Sequence, residues 1–483
     1  MTTNRKIFAI ALLSALLASN VTDSFGQPPQ PGGRRGSRSV AYNGATTLTQ
    51  SVSESGKSYA SEKAEEIALL ASNGRSDIAN ATIVKSGSPS GRSDDFDFYG
   101  VNAAVLAHNE AVLNLNAGSI ETDSSYSSAL FAYGSGVINV RDVTIKTTKN
   151  NSGGVMVTGG GTINATNLTV TTEGGSSAAI RSDRGGGKLT VFGGEYVSNG
   201  PGSPAIYSTA DITVNDAKLV ATKSEGAIIE GKNSITLNRA QLVDDNNTLH
   251  GKSTTHKNIF IYQSFSGDAS IGESKFEAND CKITTKKGDS IYVTNTSCSI
   301  KLNGNTFVNE DPEGCFLRVR RESWGRKGTN GGNVKLALEN QNVEGNIFVD
   351  NISTLTLNIT KGSRYEGVIN GANAAKRIDI TLDADSTLVL QGDSYVSSIT
   401  NADPDGANII LNGHKLIVGA EGPVDDGIVD VESNDRLGPP QGGAQNEFGP
   451  PEPPRDENFN AGRPSRRPGE RRGGSRRPRP DRD

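Results

Sequence analysis

Arg181, Asp183 and Arg184 stand almost side by side, and Glu230 and Lys232 form a second charged group further along. Side chains of these types can work on polysaccharides. Acids hold calcium or protonate a leaving oxygen, and a base removes the proton next to a carboxylate. Arg181, Asp183, Glu230 and Lys232 are therefore candidates for a lyase or a glycoside hydrolase. Hydrolysis needs two carboxylates ~5–9.5 Å apart, and no such pair stands out on neighbouring repeats. The competing reading is an ion-pair ladder that orders turns. A second set suits binding without catalysis. Phe131, Arg181, Tyr207, Tyr262 and Tyr292 each follow an apolar residue, and strand side chains alternate, so they should point outward. Exposed rings offer apolar faces with a polar tip, which matches sugars. Arg318, Arg320 and Trp324 lie in a basic stretch that could form an anion or glycan patch.

Other chemistry is weakly supported. Asp94, Asp95 and Asp97 could hold calcium but lack the EF-hand spacing, and no other cofactor or metal is called for. His108, His250, His256 and His414 are scattered, without the paired spacing of a zinc hydrolase. The triplets Gly159–Gly161 and Gly185–Gly187 lack the Lys-Ser/Thr of a phosphate loop and read as turns. Cys281, Cys298 and Cys315 are spaced by 17 and 17, which fits no zinc pattern. They read as small buried residues, with at most one bridged pair.

The elements that must position these residues repeat. Val105, Leu130, Val155, Ile180 and Ile206 are separated by 25, 25, 25 and 26 residues. Each is followed by Gly or Asn turns and by two further alternating segments, such as Thr162-Ile163-Asn164-Ala165 and Leu168-Thr169-Val170. Period 2 dominates and the 3.6 period of helices is missing. Three short strands per ~25 residues predict an all-β fold, a right-handed single-stranded parallel β-helix of about a dozen coils spaced ~4.8 Å apart. Steps longer than the repeat mark insertions at 86–99, 244–258 and 321–333. Coils from 368 to 430 are less regular, as terminal repeats are.

Composition agrees. Of 483 residues 57 are Gly and only one is Trp, which suits tight corners and a core poor in large rings. Residues 1–26 read as a signal peptide, with Arg5 and Lys6 before a short apolar run. Residues 27–56 read as a Pro/Gly/Arg linker, 57–435 as the β-helix and 436–483 as a disordered basic tail. The chain carries −5 in all. From Asn460 on, nine Arg against three acids give +6, leaving −11 on the remainder. Such a tail could contact anionic polymers. No apolar run is long enough to span a membrane, and oligomeric state is not legible.

Residues 97–106 (Asp-Phe-Tyr-Gly-Val-Asn-Ala-Ala-Val-Leu), 178–187 (Ala-Ala-Ile-Arg-Ser-Asp-Arg-Gly-Gly-Gly), 203–212 (Ser-Pro-Ala-Ile-Tyr-Ser-Thr-Ala-Asp-Ile) and 230–234 (Glu-Gly-Lys-Asn-Ser) resemble a family of secreted bacterial proteins. These are described as adhesin-like, or as right-handed parallel β-helix repeat proteins. Residues 292–296, 317–319, 324–325, 330–332 and 411–414 look similar too. The likeness covers about 57–430. It implies the fold and a secreted or bacterial cell-surface location, with no agreed enzymatic activity. The resulting expectation is a protein that binds extracellular polysaccharide or another cell-surface ligand. A lyase or hydrolase, and a structural exoprotein without a ligand, are the alternatives.

Overall fold

The computed structural model describes residues 40–249 and 253–419. The signal segment 1–26, most of the 27–56 linker and the tail 436–483 lie outside them. The chain divides after Ala41 into two units, and every described strand belongs to the second, which begins at Tyr42.

This second unit is an all-β parallel β-helix of about 15 turns. Its first segments form a 12-stranded parallel sheet, from Gly44–Leu48 to Ile347–Val349. The register pairs Val105 with Leu130, Leu130 with Val155, Val155 with Ile180 and Ile180 with Ile206. Each of these side chains is fully buried, so the repeat read from spacing is the inward stacking of one apolar column. One boundary and the number of turns expected from sequence are corrected. The first coil starts at Gly44, where Gly44–Leu48 pairs with Ile67–Ala71, so the β-helix takes in residues 44–56 of the expected linker. Counting that coil, and the last ones around Ser394–Val396 and Leu416–Val418, gives more turns than the dozen expected.

The second and third segments share a corner with a consistent backbone signature. In the strands Arg75–Ser86, Val112–Asp123, Val137–Thr147 and Gly161–Thr172 one non-glycine residue sits at positive φ: Asn80 (50°), Ala117 (58°), Asp142 (54°) and Asn167 (51°). Asp216, Arg239 and Asp280 repeat it where later coils split into two strands. Left-handed backbone costs an ordinary L-residue ~1–2 kcal/mol, and Asn and Asp tolerate it best. The column also bonds to itself: Asn167 Nδ2 donates to Asp142 Oδ1 at 2.6 Å, and Arg239 forms two bonds to Asp216.

The interior is mostly aliphatic but holds a polar line. Ser152, Ser177 and Ser203 each accept the backbone N–H of the serine one coil earlier through their hydroxyls, at 3.1, 2.9 and 2.8 Å. Buried donors freed at this corner are thereby satisfied. Rings enter the core more than the composition suggests. Tyr196, Phe276, Phe316 and Tyr365 are buried within it. Cys281, Cys298 and Cys315 are buried and all free, so no pair is bridged.

Insertions lie where the step lengthens. The first carries α1 (Asp94–Tyr99); the third, around 320–332, carries Trp324. Another, 263–272, between Lys257–Tyr262 and Glu273–Asn279, was not expected. Among the described residues no helix is long and apolar enough to cross a membrane.

Candidate functional site

The outward positions of the 12-stranded sheet form a register column. Phe131, Met156, Arg181 and Tyr207 are successive neighbours in it, followed by Ile228, Phe260, Tyr292 and Arg318. Alternation therefore places Phe131, Arg181, Tyr207 and Tyr292 outward, as the sequence indicates. Phe131, Arg181 and Tyr292 are nonetheless buried, and Tyr207 is half-buried. Phe131 and Tyr292 are about 1% exposed, because the insertions fold back over them. This overturns the expected solvent-facing aromatic column. Tyr262 also moves: Ile259 rather than Ile261 pairs with Ile291, and Tyr262 aligns with Glu230 in the neighbouring column.

Two covers sit on this face. Over one end, α1 is started by Ser93, which accepts the Asp95 N–H at 3.2 Å, and is stopped by Gly100 at φ 69°. Gly100 lies against the Phe131 ring, and Thr158 Oγ1 donates to Phe98 O at 2.7 Å. Over the other end, Trp324 packs on Tyr262, with ring centroids 5.0 Å apart, in an apolar cluster with Ile228, Phe260 and Tyr292. The Lys257 ammonium is buried there, 4.2 Å from the Phe260 ring centroid and 3.4 Å from Glu322.

A pocket of about 50 Å³ opens between α1 and the 263–272 insertion, lined by Asp97, Phe98, Ser176, Ala178, Arg181, Asp183, Gly202, Pro204, Tyr207 and Asp268. Arg181 is one of its buried lining residues. Its Nη2 donates to Asp183 Oδ2 at 2.8 Å and its Nη1 to Ser176 O at 3.0 Å. Arg184 ties the two insertions together. It lies 3.8 Å from the Phe98 ring centroid, donates from Nε to Asp268 at 2.8 Å, and pairs with Asp94 at 3.4 Å. Glu230 sits behind Tyr207. Its carboxylate accepts the Tyr207 and Ser264 hydroxyls, the Tyr262 hydroxyl at 3.1 Å and the Ser266 hydroxyl at 3.3 Å.

Burial sets the electrostatics. It pushes the Asp97 carboxyl up to about 6, with Arg181 opposing the shift and Asp183 adding to it. It raises Asp183 against the pull of Arg181. It raises Glu230 despite the Ser264 and Tyr207 hydroxyls. Burial works against the Arg181 charge too, but Asp183 and Asp97 outweigh it and hold the guanidinium protonated. Two buried lining atoms make no hydrogen bond, Asp97 Oδ2 and Ser176 Oγ. Neither atom has appreciable accessible surface, and Asp97 Oδ2 is ion-paired with Arg92 Nε at 3.6 Å.

The residues expected to act together are separated by the fold. Arg181 and Asp183 line the pocket, and Glu230 is joined to it through Tyr207. Lys232 is exposed, lies along Gly272 and does not line it. Arg318 is held by Asp289 at 2.6 and 3.0 Å, Arg320 donates to Arg321 O at 3.3 Å, and Trp324 is a half-buried anchor. That stretch is a charged loop pinned on an apolar cluster. Asp94, Asp95 and Asp97 lie in the first turn of α1, and among the described residues no three acid, His or Cys side chains are grouped to hold a metal ion. Asp268 and Ser176 were missed. Neither has a motif around it, and Asp268 lies on the insertion that spacing did not reveal. Comparison of the chain with protein-family models, with curated proteins and with solved structures finds no match to any of them.

Proposed function

We propose that this is a secreted or cell-surface bacterial β-helix protein, adhesin-like in role, that binds extracellular glycan in the pocket over Arg181 without catalysis. The observation that carries the reading is a pocket between two insertions where charged side chains, Asp97, Arg181, Asp183 and Asp268, stand beside the apolar Phe98, Ala178 and Pro204. The location rests on the likeness to secreted proteins. The binding surface moves from the exposed rings expected at first to this pocket, since those rings are covered. Glycan-array binding by residues 27–483 tests it. Binding to a restricted set of glycans, lost in Asp97→Asn, is expected; no binding by folded protein refutes it.

A second reading, catalysis by a lyase or hydrolase, has its own support: three raised carboxyls, Asp97, Asp183 and Glu230, in and behind one pocket. Carboxyls raised by burial are what general acid catalysis uses. Product release from polysaccharides, abolished by Asp183→Asn and unaffected by Lys232→Ala, would establish it over the first.

A further inference from the structure

The stack of coils ends on apolar surface. In the last coil Val418 is 51% exposed where Val396 beneath it is 1%. Leu411 is 44% exposed, and continuing the pairing of Ile409 with Leu388 sets it over the fully buried Leu390. Ile399, Ile409 and Leu416 pack on the core but are only partly covered. The strands Ser398–Asn401, Ile409–Ile410 and Leu416–Val418 each pair on one side alone among the described residues. Such edges present a row of backbone donors and acceptors to any chain that can add to them. The opposite end differs. Its first strands are Gly-Ala-Thr-Thr-Leu and Ser-Glu-Ser, so head-to-tail stacking of two copies would set aliphatic side chains against hydroxyls.

We propose that this end is the docking surface for residues 427–431 of the same chain, Gly-Ile-Val-Asp-Val, laid as a further parallel strand on Ile409–Ile410. The repeat supplies the register. Val343, Tyr365, Leu388 and Ile409 form one inward column with steps of 22, 23 and 21 residues. A further step of 20 sets Val429 over Ile409 and Val431 over Leu411, and turns Ile428 and Asp430 outward. A step of 19 or 21 would drive Asp430 into the core, which is costly for an unpaired charge. A step of 22 would put Ser433 over Leu411.

Local chemistry agrees. The last two strands of this column each follow a turn led by an acid. Ser386 N–H donates to Asp383 O at 3.4 Å before Leu388, and Gly406 N–H donates to Asp403 O at 3.2 Å before Ile409. Asp425-Asp426-Gly427 stands in the corresponding place before Val429. Gly406 takes φ 64° in its turn, a conformation that Gly427 adopts without steric cost. The reach suffices: the preceding coil spends 13 residues from Val396 to Ile409, and Val418 to Val429 is 11. Ile428, Val429 and Val431 are the last Ile or Val residues of the chain, so no later segment offers the same column. Tethering gives the segment a high local concentration, which favours it over a second copy packed end to end.

Hydrogen exchange of residues 27–483, read by mass spectrometry over a range of protein concentrations with light scattering to give the mass, tests the assignment. In the monomer, amides of 427–431 should exchange roughly tenfold or more slowly than those of an open chain. Val429→Asp and Val431→Asp should each abolish that protection and speed exchange in 409–418. Ile428→Ser and Asp430→Ala, on the outward face, should leave both in place. Sensitivity at Ile428 and not at Val429 overturns this strand pairing. Open-chain exchange at 427–431 in the folded wild-type monomer overturns the proposal and needs no variant. If the mass doubles with concentration, and 409–418 gains protection while 427–431 stays open, a second copy covers the end and the proposal falls.

Discussion

Asp244 shows how one buried carboxyl shapes stability. It ends the strand Gln241–Asp244, is about 1% exposed, and accepts one bond, from Asn246 N–H at 3.0 Å, leaving Oδ2 unbonded. Burial raises its acid to about 8, with Glu225 and Asp245 adding to the shift. The unfolded chain ionises it near the ordinary aspartate value, so folding is penalised once the solution passes that value. The penalty grows until pH reaches the folded value and then stays constant. Asp244→Asn should therefore raise Tm most at pH 8 and above, by on the order of 3–5 kcal/mol in stability, and little at pH 4. Thermal melts of both proteins from pH 4 to 9 check this; a constant difference across the range would rule it out. Residue-scale legibility was uneven for reasons the backbone explains. Arg181 and Asp183 could be placed because simple alternation holds through Ile180–Ser182. Lys232 could not, since Gly231 at φ 66° turns the chain after Glu230 and ends the alternation. Tyr262 lay in a six-residue strand buried throughout, where Ile259 and Ile261 look equally inward and the sequence does not choose between them.

Elements depend on two devices, the left-handed corner and the insertions that cover the sheet. Most corner positions are Asn or Asp; Arg239 and Ala117 depart from this, and Ala117 has no side-chain group to favour its φ of 58°. Ala117→Asn should stabilise the coil by ~1 kcal/mol, read as a shift in urea midpoint with an unchanged slope. A loss of stability would mean that the corner is not strained at Ala117. Its neighbour Gly118, at φ 116°, is fixed more strictly: a Cβ there would stand 2.1 Å from Ala81 O. The covers depend on Arg184, which touches Phe98 and Asp94 on one insertion and Asp268 on the other. Arg184→Ala should cost only ~1–2 kcal/mol overall, since the side chain is partly exposed. It should nonetheless raise amide exchange in both 94–99 and 263–272 while the strands Val155–Thr158 and Ile206–Ser208 keep their protection. Exchange rising in one insertion alone would show that Arg184 does not couple them. The corners were visible from Asn and Gly spacing. The covers were not, because what an insertion folds back onto depends on contacts between coils far apart in sequence.

At the scale of the whole molecule the repeat was the most legible feature, because a β-helix contacts mainly its own neighbours. A step of 25 residues in sequence becomes one ladder step in space, as the Val105-to-Ile206 register shows. The ends were read less well. In the first coil the strand Ser53–Ser55 is Ser-Glu-Ser and the strand Gly44–Leu48 is rich in Thr, with few aliphatic residues to announce an inward column. Charge adds a property that no single coil has. The net −5 divides into −11 before Asn460 and +6 after it, so the part bearing the pocket and the basic C-terminal segment attract opposite partners. If that segment holds anionic polymers, the full protein should be retained on a sulfated polysaccharide resin at ~50 mM salt and released by ~0.3 M, where charges are screened beyond a few ångströms. A version ending at Phe459 should pass through unretained. Its Tm and its glycan affinity should match the full chain, because the pocket residues all precede the cut. Retention of the shortened protein would place anion binding on the β-helix itself, against its net charge, and would end the case for the tail.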